Sequence, residues 1–128
     1  MKNALIKDSW EITKDPLVVE WGGKDLFVDL GAEKLISAEK GNKKIAVEIK
    51  SFLGTSQVND LEKAVGQYIV YRNILEEVEQ DRILYLAITK KAFKDVFNEA
   101  FGKLILSKNN ILLIVIDPQK QEIIQWIP

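Results

Sequence analysis

The chain contains neither cysteine nor histidine. The first absence excludes disulfides, thiolate metal sites and cysteine nucleophiles, and it agrees with the reducing cytoplasm as the expected location. The second excludes a histidine-based catalytic triad, a histidine-ligated zinc and an imidazole general base. Acid–base or metal chemistry must therefore come from Asp, Glu, Lys or Tyr, and carboxylate oxygens favour hard ions such as Mg²⁺ or Mn²⁺. No apolar run approaches the ~20 residues of a membrane helix. Met1-Lys2-Asn3-Ala4 lacks the apolar core of a signal peptide, so no membrane association is expected. Positive charge is not in excess either. A formal net charge of −1 and a pI near 5.6 match poorly a protein that coats DNA electrostatically, though they leave room for a local basic face.

What remains has the balance of one globular domain over residues 1–128, with 47% hydrophobic and 29% charged residues and no repeat, low-complexity tract or linker. Residues 2–8 read as the tail of a helix. Residues 10–20 read as extended, interrupted at Asp15-Pro16, and residues 21–25 as a turn around Gly22-Gly23. Residues 26–38 form a strand pattern in which Gly31 marks a bulge or bend. Gly41-Asn42 is a tight-turn signal before the clearest strand, 44–53 (KIAVEIKSFL). Thr55 or Ser56 is placed to cap the longest helix, 56–77, whose apolar stripe is Val58, Leu61, Val65, Tyr68, Ile69 and Leu75. A buried strand at 82–88 and a helix at 89–100, striped by Phe93, Val96 and Phe97, come next. After the Asn109-Asn110 turn, a buried strand at 111–116 and a returning hairpin strand at 122–127 close the chain. Strands mixed with helices predict an α/β domain with one central mixed sheet flanked by helices.

Two charges inside the clearest strand stand out. Glu48 and Lys50 are two residues apart and share one face, while Val47 and Ile49 take the other. A half-exposed strand showing both to water explains the pattern without any chemistry. A third charge, Asp29, stands inside another apolar segment, Phe27-Val28-Asp29-Leu30. Two carboxylates on adjacent strands can hold a divalent ion, and a lysine one pleat away can position water or stabilise charge on a phosphate. Together they describe phosphodiester hydrolysis without histidine.

The hairpin register complicates this. A two-residue Gly41-Asn42 turn puts Leu35 opposite Glu48 and Glu33 opposite Lys50. Asp29 then lies about 20 Å along the strand from Glu48, at roughly 3.3 Å per residue. A bulge near Gly31 or within 37–40 would shorten that distance. Asp29 is the preferred acid on that basis, with Glu33 as the alternative.

The helix that follows carries Gln67 and Tyr71 at i and i+4, on one side with Asp60 and Ala64. They could bind phosphate or a base, or could simply form amphipathic surface with Tyr71 half-buried. Lys34, Lys40, Lys43 and Lys44 could contact phosphates or decorate a solvated hairpin. Trp21, Tyr85 and Trp126 could lie in a subunit interface or in the core, and a two-fold homo-oligomer is a reasonable expectation.

The segment DLFVDLGAEKLISAEKGNKKIAVEIKSFLG (25–54) closely resembles the XisH family of fdxN element excision controlling factors. So do WEITKDPL (10–17), VGQYIVYRNIL (65–75) and RILYLAI (82–88), in order over essentially the whole chain. The resemblance implies the restriction-endonuclease-like, or PD-(D/E)XK, fold. In that fold Asp29 matches the motif acid, Glu48 and Lys50 match the (D/E)-x-K pair, and Gln67-x-x-x-Tyr71 is similar to a motif of RecB-like nucleases. It further implies a cyanobacterial source, Mg²⁺ or Mn²⁺ as cofactor and DNA as partner. The role implied is excision of the fdxN element in heterocyst development, beside a site-specific recombinase and other excision factors. The activity would be that of a metal-dependent DNA endonuclease or, alternatively, of a catalytically inactive accessory protein acting through protein contacts. Members of the family usually begin with a longer first helix, where RecB-like nucleases often place a further acid.

Overall fold

The computed structural model describes residues 1–25, 34–52 and 56–128. The chain opens with a short helix, α1 (Lys2–Lys7), and an edge strand, β1 (Glu11–Lys14). Residues 10–20 are extended over a shorter span than expected, because β2 (Glu20–Trp21) and β3 (Lys24–Asp25) form a separate ribbon about Gly22-Gly23.

The organising element is the hairpin formed by β4 (Lys34–Lys40) and β5 (Lys43–Ile49), antiparallel from Lys34↔Ile49 to Lys40↔Lys43 without a register shift. Gly41 takes φ 60°, which the first position of a II′ hairpin turn demands and which glycine meets without steric cost. The turn thus fixes the register, and Leu35 pairs with Glu48 as the sequence predicts. The bulge expected within 37–40 is absent from this ladder. The irregularity lies instead in the neighbouring β1, between Ile12 and Lys14. Gly31 lies outside the described residues.

After β5 comes the long helix α2 (Gln57–Val78), which returns the chain to β6 (Arg82–Thr89), parallel to β5. The Ser56 side chain caps α2 by accepting from the Asn59 amide at 3.3 Å. The helix buries Leu61, Ala64, Tyr68, Tyr71 and Leu75. That stripe differs from the expected one. Val58 is exposed, whereas Tyr71, expected to be half-buried, has no solvent-exposed surface.

Beyond β6, Thr89 caps a short α3 (Lys90–Ala92) that continues as a π-helical turn, Phe93–Phe97. A further helix, α4 (Ala100–Asn109), follows, although the apolar pattern predicts that the helical segment ends at residue 100. The two segments meet at Gly102, where a Cβ would overlap the Val96 carbonyl and lie 2.7 Å from Phe97 Cα. Asn110, left-handed at φ 52°, ends α4. Then β7 (Leu113–Asp117) pairs parallel with β6, and β8 (Glu122–Ile127) returns antiparallel.

The result is a single α/β domain around a mixed six-stranded sheet ordered β1-β4-β5-β6-β7-β8. Alternation along the strands produces two cores. Leu35, Ala46, Leu84, Leu86, Ile88 and Leu113 face α2 and the π turn; Ile36, Ala38, Ile45, Val47, Ala87 and Ile114 face α1. Each large apolar side chain among them, fully buried, contributes about 1.5–3 kcal/mol. No helix among the described residues is long and apolar enough to cross a membrane.

Candidate functional site

Glu48 is the residue that least fits an apolar layer. It sits near the C-terminal end of β5, 1% exposed, with Leu35 and Leu86 as its cross-strand neighbours. Its parity places it with Ala46 on the α2 side of the sheet, while Val47 and Ile49 belong to the opposite core. A polar strand face turned to water is therefore the wrong account of Glu48, because α2 covers that face. Retaining a carboxylate there costs free energy that a leucine would not, and functional sites are where such costs concentrate.

Lys50 lies just past the strand, half-buried, and its backbone N–H donates to the Ala87 carbonyl at 3.2 Å. This bond extends the β5–β6 pairing by one residue and holds Lys50 at the open end of the parallel strands, where ligands of α/β sheets commonly bind. Phe52 packs edge-on against Phe97, ring centres 5.4 Å apart, and walls this end of the layer.

The α2 side chains divide between the two sides of the helix. The Tyr68 hydroxyl donates to the Leu84 carbonyl at 2.8 Å and accepts from the Leu112 amide at 3.2 Å. Arg72 donates to the carbonyls of Asn109 at 2.7 Å and Asn110 at 3.2 Å. These bonds turn the Tyr68–Arg72 flank toward β6 and β7. Gln67 and Tyr71 stand about 100° around the helix from them, so their flank, which includes Asp60, lies over the β5 side that carries Glu48. Burial pushes the Tyr68 phenol above its ordinary pKa. The Leu112 hydrogen bond and the Arg72 cation oppose that rise, and the negative charge of Glu48 adds to it. Tyr68 belongs to the α2-side core. Its spacing marks it only as an apolar stripe residue, although its position three before Tyr71 is a signal of a shared layer.

The lysines go elsewhere. Lys40 and Lys43 pair at the hairpin tip, about 17 Å from Glu48 at roughly 3.3 Å per residue, and share the alternation of the α1-side core. Lys34 lies near the Glu48 end but with the same opposite parity, and forms an ion pair with Asp15 at 3.2 Å. These three do not line the Glu48 layer; Lys44 shares the parity of Ala46 and Glu48 but lies four residues away, about 13 Å at roughly 3.3 Å per residue.

Asp29 and Glu33, the two candidate upstream acids, lie outside the described residues. Among the described residues no three acids gather into a group able to hold a metal ion. Two described carboxylates are buried, Glu48 and Asp117. Asp117 belongs to its turn, accepting from the amides of Gln119 at 3.0 Å and Lys120 at 3.2 Å and pairing with Lys90 at 3.2 Å. Glu48 is the one of the two on the covered face beneath α2. It is a donor of the type a hard divalent ion takes, and such an ion would require further oxygen ligands.

The fold recurs in known proteins. The family model described as XisH protein matches residues 1–124. An XisH family protein from Nostoc punctiforme PCC 73102 is 40% identical; the match covers 99% of this chain and 94% of that one, with a TM-score of 0.91. A fdxN element excision controlling factor protein from Anabaena variabilis is 44% identical, with the same coverage of 99% and 94% and a TM-score of 0.90. No curated protein matches the chain. The chain belongs to the XisH family.

Proposed function

We propose that this protein is an excision controlling factor of the fdxN type, and that it acts as a metal-dependent DNA endonuclease of the PD-(D/E)XK kind beside a site-specific recombinase. The observation that carries the reading is the buried Glu48, followed two residues later by Lys50 at the open end of the parallel strands, under the flank of α2 that bears Gln67 and Tyr71. Glu48, with Asp29 or Glu33 from the preceding segment, would hold Mg²⁺ or Mn²⁺. Such an ion, when bound, supplies positive charge for the phosphate and for the attacking water. Lys50 is the cation placed to stabilise charge developing on the phosphate. Gln67 offers an amide to phosphate or base. Tyr71, with no exposed surface, positions its neighbours and does not stack on a base.

The second reading, an accessory protein without catalysis, is favoured by the formal net charge of −1, a poor match to a protein that grips DNA electrostatically. Calorimetric titration of Mg²⁺ and Mn²⁺ separates the two. The nuclease reading expects binding that Glu48→Gln and Asp29→Asn each abolish. It also expects cleavage of duplex, single-stranded or branched DNA, which Lys50→Met lowers by about 10²-fold or more without preventing ion binding. A parent protein that binds neither ion and cuts none of these substrates is the accessory protein.

A further inference from the structure

On the opposite face of the sheet lies a groove of about 580 Å³, whose floor is Ile45, Ile83 and Tyr85 and whose walls include Trp10 and Trp126. Its aromatic rings form a connected set. Trp126 lies 5.8 Å from Trp10, tilted, and 5.0 Å from Tyr85, edge-on. Ile83 on the floor is 50% exposed although α1 covers other parts of this face. The rim carries Lys40, Lys43 and Lys44 from the hairpin tip. Lys40 and Lys43 stand directly opposite each other in the ladder, and Lys40 donates to the Asp8 carbonyl at 2.7 Å and pairs with its carboxylate at 3.7 Å. Lys40 lies 5.7 Å above the Trp10 ring. Among the described residues Lys43 and Lys44 form no ion pair.

We propose that this groove binds a single-stranded nucleic acid, with bases against the Tyr85–Trp126 wall and phosphates on Lys40 and Lys43. Aromatic faces beside ammonium groups are the combination that holds such strands without regard to sequence. The groove also contains two carboxylates, Asp8 and Asp81. Asp8 is already engaged, by Lys40 at 3.7 Å and by the Trp10 indole N–H at 3.1 Å. A second copy of the chain is a poorer occupant, because a two-fold pairing would set one concavity against another and leave the floor unfilled. A duplex is also poorer, since its base faces are stacked within it. The surface is separate from Glu48, and the inference does not depend on the nuclease reading.

Two of the three tryptophans line this groove, so binding is read directly from tryptophan emission on titration with a short oligo-thymidylate. The expected result is quenching by the oligomer, with much weaker effects from thymidine monophosphate and from duplex DNA. The double variant K40A/K43A should bind about tenfold more weakly, with a salt dependence of log affinity shallower by about 1.4, the share of two phosphates on a single strand. Ile83→Glu should also abolish quenching, and its exposed position spares the fold, as a circular dichroism melt would verify. Absence of quenching, equal binding of the monophosphate, or undiminished binding by K40A/K43A would overturn the proposal. So would concentration-dependent dimerisation that Ile83→Glu abolishes, which would make a second copy the occupant.

Discussion

Tyr68 ties α2 to strand β6 and to Leu112, the residue that leads into β7, with one hydroxyl. Its phenol donates to the Leu84 carbonyl and accepts from the Leu112 amide, in a position 1% exposed. Tyr68→Phe keeps the ring but removes the buried bond to the Leu84 carbonyl and the half-buried one from the Leu112 N–H. A loss of about 1–3 kcal/mol is expected, measured as a lower urea midpoint with unchanged slope. A midpoint within error of the parent would show that the bridge carries no net stability. The shared face of Glu48 and Lys50 is legible from residue spacing alone, because a period of two assigns faces without knowledge of the partner strands. The depth of Tyr71 is not. A phenol on the flank of a stripe can be surface or core, and only the β5 side of the sheet beneath it decides. Nor does spacing settle which of the two candidate acids, Asp29 or Glu33, lies nearer Glu48, since the hairpin register is regular throughout 34–40 and the path from Asp29 to Glu33 lies outside the described residues.

Among the elements, the hairpin is the most readable because a Gly-Asn turn of fixed length dictates every pair behind it. The helix α4 is the least readable, and the reason is physical. Its large apolar residues Phe101 and Leu104 are about half exposed, while its buried position is Gly102. A periodicity of large side chains therefore does not mark its packed face. Gly102 is there for close approach: the Val96 carbonyl and Phe97 Cα occupy the space a methyl group would need, and both are backbone. Gly102→Ala should destabilise by about 1–3 kcal/mol through overpacking. Gly66 provides the contrasting case. It lies inside α2, exposed, and a Cβ there would have nothing within 4 Å. Gly66→Ala should raise stability by about 0.5–1 kcal/mol, because alanine loses less conformational freedom in a helix. Equal effects of the two substitutions in chemical denaturation would refute the packing account of α4.

Across the whole molecule, two carboxylates of depressed pKa among the described residues, Asp15 and Asp117, sit near the two edges of the sheet. Asp15 follows edge strand β1 and joins Lys2 of α1 at 2.9 Å to Lys34 of β4 at 3.2 Å; the Lys2 hydrogen bond is the main cause of its lowered pKa. Asp117 holds the turn into edge strand β8, its pKa lowered first by the Lys120 amide and then by Lys90 and the Gln119 amide. A folded-state pKa below the unfolded value of about 3.9 means that the native state releases protons the unfolded chain still holds. These contacts therefore contribute fully above about pH 4, and their contribution is lost as pH falls through the depressed values. The centre of the sheet has a different basis for stability: β5, β6 and β7 are paired on both sides and packed from above and below by apolar residues. Acid should accordingly loosen the molecule from its edges inward. Hydrogen exchange at pH 3 is expected to open α1, β1 and the β7–β8 turn well before β5 and β6, whereas at pH 6 the difference narrows. Asp15→Asn should remove the acid sensitivity at the β1 edge alone, and Asp117→Asn that at the β8 edge alone. If one substitution removed it at both edges, the two carboxylates would be acting through a shared global transition and not through local contacts.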